Sequence, residues 1–436
     1  MVKPRIRLLL LVIFAFTPII GKISAQNPGK VWMKYSSPEE AGFSSEKLKA
    51  VYDLYEKNKA SAIMVIYNGN VLLSKGDITR RYDIHSMRKS LISALYGIYK
   101  AKGKIKIDKT LKQLSIDDNE KLTEIEKTAT IQDLLKARSG IYIGAFGETK
   151  SMEKDRPKRG SHAPNTFFYY NNWDFNVLGQ IFQQETKLNL FAAFDKSIAK
   201  PLQMEDYRLI DGRFWSDSTR NTKFPKYDIK MTARDLARFG VLYSNDGFWN
   251  KKKIIKNQWI WDTFTPYSYI DHKTYREAYG YLWWIEMIDD TIPMYSALGA
   301  GGHVLSVVPK YHLVMVKRHD TFGNGAGDTW GGMYIKKILA ARVTKPAKKP
   351  KLVPLGVEEE QIVSINMPKE ELKNYEQKIK LNGRIRKIEY TAKYGLLYDD
   401  WFVMKPISQN KFYLEDYNRY MYFKVINGRP VFDRIE

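Results

Sequence analysis

The chain has 436 residues, 44% of them hydrophobic and 14% aromatic, so it is long enough for a large core plus a further domain, and wholesale disorder is excluded. Its formal net charge of +23 comes from scattered lysines without a zinc-finger, helix-turn-helix or RNA-binding signature, so we expect a solvated basic surface and no nucleic-acid partner. The absence of cysteine excludes disulfides, thiolate chemistry and cysteine-based metal sites.

The N-terminus has the pattern of a secretory signal peptide. A basic start precedes an apolar run over residues 8–20 and a small-residue exit. The run is shorter than the roughly 20 residues of a membrane-spanning helix. We therefore predict a signal peptide over residues 1–25, cleaved after Ala25, with an uncleaved anchor as the alternative. An export signal without cysteine predicts a bacterial protein that is periplasmic or secreted, with no stable membrane span after cleavage.

Helices and strands alternate in the first third of the remaining chain. An amphipathic helix is predicted over residues 44–57. Strands over residues 62–67 and 71–75 are joined by Asn68-Gly69-Asn70, a strong hairpin signal. The next helix begins at Ser86 and ends near residues 102–103, where Gly103 can take the left-handed conformation of a helix C-terminus.

The middle of the chain, from about residue 100 to 280, is predicted to consist mostly of helices and polar loops. Two capping boxes, Thr130-Ile-Gln-Asp133 and Thr232-Ala-Arg-Asp235, open helices there. Strands and one final helix then return at residues 281–286, 303–308, 312–318 and 330–342. Strands at both ends of a domain with helices between them predict one sheet completed by both ends of the chain, and a cleft beside a helical lobe.

The predicted fold class is therefore α/β of the α+β type. Residues 26–342 form an antiparallel sheet flanked by helices with an inserted helical lobe. Residues 343–356 are a Lys/Pro-rich linker. Short strand-like runs punctuated by turn residues predict a small all-β domain over residues 357–436.

Ser86 and Lys89 lie where an extended segment meets the start of an apolar helix. Residues three apart share one helix face, so the Lys89 amine can reach the Ser86 hydroxyl and act as its base. The spacing alone proves little. It also occurs outside such a junction, at Ser44/Lys47, Ser151/Lys154, Ser197/Lys200 and Ser408/Lys411.

An aromatic and Asn-rich turn over residues 164–172 leads into a further helix. A Tyr-x-Asn pattern there places a phenol and an amide in the cleft, with Tyr170 and Asn172 as the candidates. Tyr169 and Asn171, one residue away in register, remain alternatives.

A glycine-rich turn precedes the strand predicted at residues 303–308. Glycine lets the backbone approach a ligand and offer an N–H group to an oxyanion. His303, next to Gly302, raises a rival in which a serine–histidine pair does the chemistry. The histidines show no His-x-x-x-His spacing, so we predict no metal site and no cofactor.

Several motifs occur in a fixed order: HSMRKS (85–90), TIQDLLKARSGI (130–141), YNN with DFNVLG (170–179), KPLQM (200–204), MTARDLARFG (231–240) and G-x-G-G (299–302). Over residues 35–342 the chain thereby resembles the serine β-lactamase and penicillin-binding protein superfamily. Within it the chain is similar to class C β-lactamase-related serine hydrolases, which include esterases, D-amino-acid peptidases and aminohexanoate-oligomer hydrolases. Residues 357–436 resemble the small β domain often appended to such enzymes.

The resemblance implies a role for each motif residue. Ser86 would be the acylated nucleophile and Lys89 its base. Tyr170 would assist proton transfer, and Asn172 would orient Lys89 and the substrate. The implied activity is cofactor-free hydrolysis of an ester or amide in a small-molecule or peptide-like substrate.

The third motif departs from the family pattern. The oxyanion hole would combine the backbone N–H of Ser86 with that of Ala300, which follows Gly299. True β-lactamases of this kind carry Lys-Thr-Gly here, whereas this chain has Ala297-Leu298-Gly299, without a cation or a hydroxyl. The departure disfavours β-lactam hydrolysis and favours an uncharged substrate. Aromatic residues nearby are predicted either to line the pocket or to lie in the core: Tyr281, Trp283 and Trp284.

Other functions fit the same motifs. One is a D-amino-acid peptidase or carboxypeptidase acting on cell-wall peptides, or a β-lactamase. Another is a non-catalytic, envelope-binding protein on the same scaffold, which would bind anionic wall polymers without acylation.

Overall fold

The structure is a computed structural model that describes residues 27–270, 277–289, 291–322, 327, 330–357, 362–381 and 383–436. The predicted signal peptide lies outside the described residues. Within the described ranges, no helix is both long enough and apolar enough to cross a membrane.

Helices and strands are numbered here in chain order. The helices are α1 (Ser45–Lys57), α2 (Arg88–Ala101), α3 (Ile131–Leu135), α4 (Lys150–Asp155), α5 (Asn172–Thr186), α6 (Leu190–Phe194), α7 (Ala233–Ser244), α8 (Asn257–Phe264), α9 (Gly332–Ala340) and α10 (Lys369–Lys373). The strands are β1 (Met33–Tyr35), β2 (Ala62–Tyr67), β3 (Asn70–Gly76), β4 (Tyr82–Asp83), β5 (Gly212–Trp215), β6 (Lys226–Met231), β7 (Phe248–Trp249), β8 (Lys252–Lys253), β9 (Ser268–Tyr269), β10 (Ala278–Tyr279), β11 (Trp284–Met287), β12 (Pro293–Gly299), β13 (His303–Val308), β14 (Leu313–Arg318), β15 (Leu352–Pro354), β16 (Gln377–Leu381), β17 (Arg384–Thr391), β18 (Gly395–Tyr398), β19 (Phe402–Ser408), β20 (Lys411–Leu414), β21 (Arg419–Ile426) and β22 (Arg429–Ile435).

A ten-stranded sheet in the order β15-β1-β3-β2-β14-β13-β12-β11-β10-β9 forms the centre of the first domain. Its neighbours pair antiparallel except for β1 and β3. The two ends of the domain meet at β2 and β14, where Ala62 pairs with Arg318. The predicted fold class, with a sheet completed by both ends of the chain, is confirmed.

Both faces of this sheet are covered. Strand β2 is buried along its whole length, and its side chains alternate between two cores. Ile63 and Val65 join the core formed with α1 and α9, whereas Met64 and Ile66 join the larger core formed with α2, α5 and α7. Since β2 is covered on both faces, its sequence is a continuous apolar run instead of an alternating one.

The two predicted capping boxes differ in the structure. Thr130 and Asp133 form the predicted reciprocal capping box. Thr232 caps α7, but the Asp235 carboxylate accepts the backbone N–H groups of Glu205, Asp206 and Tyr207. The Asp235 carboxylate therefore holds an incoming loop.

Several strands lie where the sequence predicts other structure, and β6 and β15 are the two that matter for the site and the domain junction. Strand β6 falls in the stretch predicted as helices and loops, and it forms a three-stranded sheet in the order β4-β6-β5. Strand β15 falls in the segment predicted as a linker and pairs antiparallel with β1. Leu282 has a φ of 64°, which interrupts the strand predicted over residues 281–286, so β11 begins at Trp284.

The C-terminal residues form a separate seven-stranded antiparallel sheet in the order β16 to β22. It curls into a nearly closed barrel, because the Gln377 side chain on β16 bonds to backbone atoms of Pro430 and Phe432 on β22. The barrel has its own apolar core, which includes Trp401, Phe412 and Met421. The predicted small all-β domain is confirmed.

Buried charges join this barrel to the first domain. Lys230 on β6 is fully buried and donates to the Asp416 carboxylate and to the Trp401 carbonyl oxygen, each at 2.8 Å. Arg81 lies 3.0 Å from the same carboxylate. The Trp401 indole N–H donates to the Asp211 carbonyl oxygen at 3.1 Å. Lys230 and Arg81 hold the pKa of Asp416 down at about 2, although burial alone would raise it.

Replacing Asp416 with alanine is expected to destabilise the docked barrel strongly. The change leaves the Lys230 ammonium buried without its nearest carboxylate, which costs about 3–5 kcal/mol in comparable pairs. Urea unfolding followed by tryptophan fluorescence measures the loss.

Asp433→Ala is the matched control, because Asp433 pairs with the largely exposed Lys424. It is expected to change the unfolding midpoint little. Equal effects of the two substitutions would contradict the structural importance of the buried cluster.

Candidate functional site

Ser86, Lys89 and Tyr170 meet in one hydrogen-bonded group. The Lys89 Nζ atom lies 2.9 Å from Ser86 Oγ and 2.7 Å from the Tyr170 hydroxyl oxygen. Lys89 is buried, whereas Ser86 and Tyr170 remain partly exposed. A nucleophilic hydroxyl that solvent can reach thus faces an enclosed amine, as acyl transfer by an activated serine requires.

The backbone around Ser86 forms a tight turn that precedes the helix. Residues His85–Met87 form a single 3₁₀ turn, and α2 begins at Arg88. His85 has a φ of 47°, and its backbone N–H donates to the Asp83 carboxylate at 2.8 Å. The buried Arg318 donates to the carbonyl oxygen of Tyr82 at 3.1 Å. These hydrogen bonds hold the backbone that connects strand β4 to Ser86.

Lys89 lies in surroundings that disfavour its charged form. Loss of solvent, together with the positive charges of Arg88 and Lys226, lowers the pKa of Lys89 well below its ordinary value. At a given pH, a larger fraction of such a lysine is neutral than of an exposed lysine, and only the neutral amine can take a proton from a hydroxyl group. Besides the Ser86 and Tyr170 hydroxyl groups, the Lys89 amine meets the Tyr170 and Phe175 rings, with centroids 4.3 and 4.5 Å from Nζ.

Tyr170, and not Tyr169, faces the lysine. The Tyr169 hydroxyl donates to the Met152 carbonyl oxygen at 2.6 Å and points away from Ser86. The Tyr170 ring stacks on Trp284, with centroids 5.1 Å apart. Of the three aromatic residues considered for the pocket, Trp284 alone lies against the reactive group, because Tyr281 and Trp283 are buried in the core.

The side chains of Asn171 and Asn172 make different hydrogen bonds. Asn171 caps α5 by accepting the backbone N–H of Trp173, and it donates to the Ile141 carbonyl oxygen and to Asp174. Asn172 donates to the Gly147 carbonyl oxygen at 2.6 Å. Its Oδ1 atom has no hydrogen-bond partner among the described residues. The amide thus holds the loop at Gly147 and leaves an acceptor for a ligand or for Lys89.

The turn between β12 and β13 approaches Ser86 from the other side. A side-chain Cβ on Gly299 would lie only 2.5 Å from the Ile84 carbonyl oxygen and 3.3 Å from Met87. Only glycine therefore allows β12 to come this close to the turn that carries Ser86. Ala300, the next residue, is exposed at the tip of the turn.

His303 does not contact Ser86. Its Nε2 atom lies 3.2 Å from Thr321 Oγ1, and its Nδ1 atom accepts the backbone N–H of His319 at 3.4 Å. Burial and the nearby Arg318 lower the pKa of His303 well below its usual value. The geometry gives no support to the serine–histidine pair. In the part of the chain that the structure describes, no group of three acidic or histidine residues is arranged to hold a metal.

The structure adds charged residues that the sequence did not single out. Lys226 on β6 lies beside the loop at Gly147 and pairs with Asp228, at 2.9 Å from Nζ to Oδ1. Burial and the neighbouring Asp83 raise the pKa of Asp228. The signal available in the sequence was the alternation of Lys226, Asp228 and Lys230, which is that of a strand with one charged face.

The chain matches the Beta-lactamase family over residues 56–335, which include Ser86, Lys89, Tyr170 and the Gly299 turn. The chain belongs to the beta-lactamase family. As a member of it, the chain is a hydrolase of the serine beta-lactamase and penicillin-binding protein superfamily, and the predicted resemblance to this superfamily is confirmed. No curated protein matches the sequence of this chain.

Solved structures share the fold of this beta-lactamase family member at low sequence identity. A Bacteroides dorei protein assigned to the beta-lactamases has a TM-score of 0.54 at 14% identity, over 69% of this chain and 99% of its own. A penicillin-binding protein homologue from Pyrococcus abyssi has a TM-score of 0.51 at 14% identity, over 89% of this chain and 94% of its own. A Bacillus anthracis protein assigned as a 6-aminohexanoate-dimer hydrolase has a TM-score of 0.51 at 19% identity, over 73% of this chain and 87% of its own.

Gly299→Ala is expected to displace the turn that carries Ser86. The added methyl group overlaps the Ile84 carbonyl oxygen, and overpacking of this kind costs about 1–3 kcal/mol. Thermal unfolding measures the change. In Gly356→Ala, the matched control, the new Cβ meets no atom within 4 Å, so the midpoint should stay in place. An unchanged midpoint in Gly299→Ala would refute the close approach.

Proposed function

We propose that this chain is an exported serine hydrolase that cleaves an ester or amide bond through an acyl-enzyme on Ser86, with Lys89 and Tyr170 as its base. The contact of the buried Lys89 amine with both Ser86 Oγ and the Tyr170 hydroxyl carries the proposal. The 6-aminohexanoate-dimer hydrolase among the structural neighbours is named for an amide substrate, which supports this class of bond.

The proposed reaction begins with neutral Lys89. Its amine takes the Ser86 proton while Oγ attacks the substrate carbonyl carbon, and the carbonyl oxygen becomes an oxyanion. The backbone N–H groups of Ser86 and Ala300 would donate to that oxyanion. As the tetrahedral intermediate collapses, Tyr170 passes a proton to the leaving alcohol or amine and recovers one from Lys89. Water then attacks the acyl-enzyme by the same route and releases the acid.

The location and partners are part of the proposal. The signal pattern over residues 1–25 supports export to the periplasm or beyond. The partner would be a small-molecule or peptide-like substrate and not nucleic acid. A D-amino-acid peptidase would use the same residues, and side-by-side assays of D-amino-acid amides, para-nitrophenyl esters, nitrocefin and aminohexanoate oligomers separate these activities.

Ser86→Ala is expected to abolish covalent labelling by a fluorophosphonate probe, as measured by intact-protein mass. Lys89→Ala should reduce the labelling rate at least about a hundredfold, because the serine loses its base. His303→Ala is the control for the rival base and should still be labelled. Labelling that survives Ser86→Ala would overturn the assignment of the nucleophile, and absence of any labelling in the native chain would favour the non-catalytic, envelope-binding alternative.

The rate of Ser86 labelling is expected to rise with pH and to level off well below pH 10.5, the ordinary pKa of lysine. Lys89 acts only when neutral, and its depressed pKa keeps it neutral above that lower value. Activity is therefore lost as the pH falls through the pKa of Lys89 in the folded chain. Lys89→Met should remove this dependence. A midpoint near pH 10.5 in the native chain would contradict a neutral, buried Lys89.

A further inference from the structure

Strand β6 presents one charged face that runs from the reactive site to the C-terminal barrel. Side chains alternate along a strand, so Lys226, Asp228 and Lys230 point to the same side. Across the sheet, Arg213 on β5 is opposite Asp228, and Asp83 on β4 is opposite Lys230. The other side of β6, with Tyr227 and Ile229, is buried in the large core.

The two lysines on this face have different surroundings. Lys230 is fully buried and bonds to Asp416 and the Trp401 carbonyl oxygen of the barrel. Lys226 keeps 20% of its side chain exposed. Lys230 therefore belongs to the domain junction, whereas the Lys226 side chain remains partly open to solvent.

Lys226 lies beside the Ser86 site. A Cβ on Gly147 would lie 2.7 Å from Lys226 Cδ and 3.5 Å from Asn172 Nδ2, so Gly147 separates the two side chains. The Lys226 Nζ atom is 5.6 Å from the centre of the Trp215 ring, which belongs to the residue opposite it on β5. The positive charge of Lys226 also lowers the pKa of Lys89 and of Asp83, which agrees with this position.

The Lys226 ammonium has hydrogen-bonding capacity to spare. A lysine ammonium carries three N–H donors. The described residues place one carboxylate oxygen next to it, Asp228 Oδ1 at 2.9 Å. Asp228 is shared with Arg213, whose Nε lies 3.9 Å from the other oxygen. Lys89 cannot serve as the cation of the site, because it must be neutral to act as a base.

We propose that Lys226 binds a carboxylate of the substrate, so that the preferred substrates are esters or amides that carry an acidic group. This inference rests on the proposed hydrolase function and deepens it. It also replaces the uncharged substrate that the third motif favours, because β6 supplies the cation that is missing from Ala297-Leu298-Gly299.

Three esters of matched size test this substrate class. Para-nitrophenyl hydrogen glutarate carries a carboxylate on the acyl side, para-carboxyphenyl pentanoate carries one on the leaving group, and para-nitrophenyl pentanoate is neutral. The measured quantity is kcat/KM for each anionic ester divided by kcat/KM for the neutral one. In Lys226→Met this ratio should fall about tenfold to a hundredfold for at least one anionic ester, the loss expected for a charged hydrogen bond.

The ratio separates substrate binding from indirect effects. Loss of the Lys226 charge also raises the pKa of Lys89, but that change slows all three esters alike and cancels. Lys226→Arg keeps a cation and should restore most of the ratio. Lys223→Met is the matched control, because Lys223 is exposed and lies against Phe224. An unchanged ratio in Lys226→Met, or an equal fall in Lys223→Met, would overturn the inference.

A binding measurement distinguishes failure of this inference from failure of the hydrolase proposal. Ser86→Ala cannot form an acyl-enzyme, so calorimetry with glutaric acid mono-anilide measures recognition alone. Adding Lys226→Met should weaken binding about tenfold or more, while binding of neutral pentananilide changes much less. Lys226-dependent binding without turnover of any ester would overturn only the hydrolase proposal. Turnover with no dependence on Lys226 in either assay would overturn only the carboxylate site.

Discussion

Burial of the Lys89 amine is the constraint around which the first domain is organised. A charged lysine loses more solvation in this packed interior than two hydroxyl groups and two aromatic rings return, so burial lowers the pKa of Lys89. In the proposed mechanism, the same enclosure allows Lys89 to act as the base for Ser86. Helices α2 and α5 supply the enclosure, and Gly299 lets the sheet close on the third side.

The sequence predicted what depends on neighbours along the chain. The i, i+3 spacing of Ser86 and Lys89, the Asn68-Gly69 hairpin and the Thr130 capping box are all local, and the structure contains each of them. The order of the motifs predicted the family, and the strands at both ends predicted the central sheet. The Tyr-x-Asn motif predicted its residues only as alternatives, because neighbouring positions in a turn differ in direction and not in composition.

What the sequence missed depends on pairing between distant segments. In the sequence, Lys230 cannot be distinguished from a surface lysine, because its partner Asp416 belongs to a separate domain. Strand β6 carries charges on the side that would ordinarily face solvent, so its sequence resembles that of a polar loop. The Lys-Thr-Gly motif lies on a single strand, whereas Lys226 approaches the same site from another sheet. Charges near this site come from several segments that are distant along the chain, so no single motif contains them.

The pairing of β2 with β14 has a consequence for how the protein forms. These central strands come from opposite ends of the domain, and Ala62 can pair with Arg318 only after the whole of the intervening chain has been synthesised. Contacts so distant along the chain make folding slow, because a long loop must close before the strands can gain from pairing. The first two-thirds of the polypeptide therefore cannot complete its sheet while it emerges from the ribosome. For most of its synthesis it presents the apolar β2 segment to whatever chaperone or translocation machinery meets it.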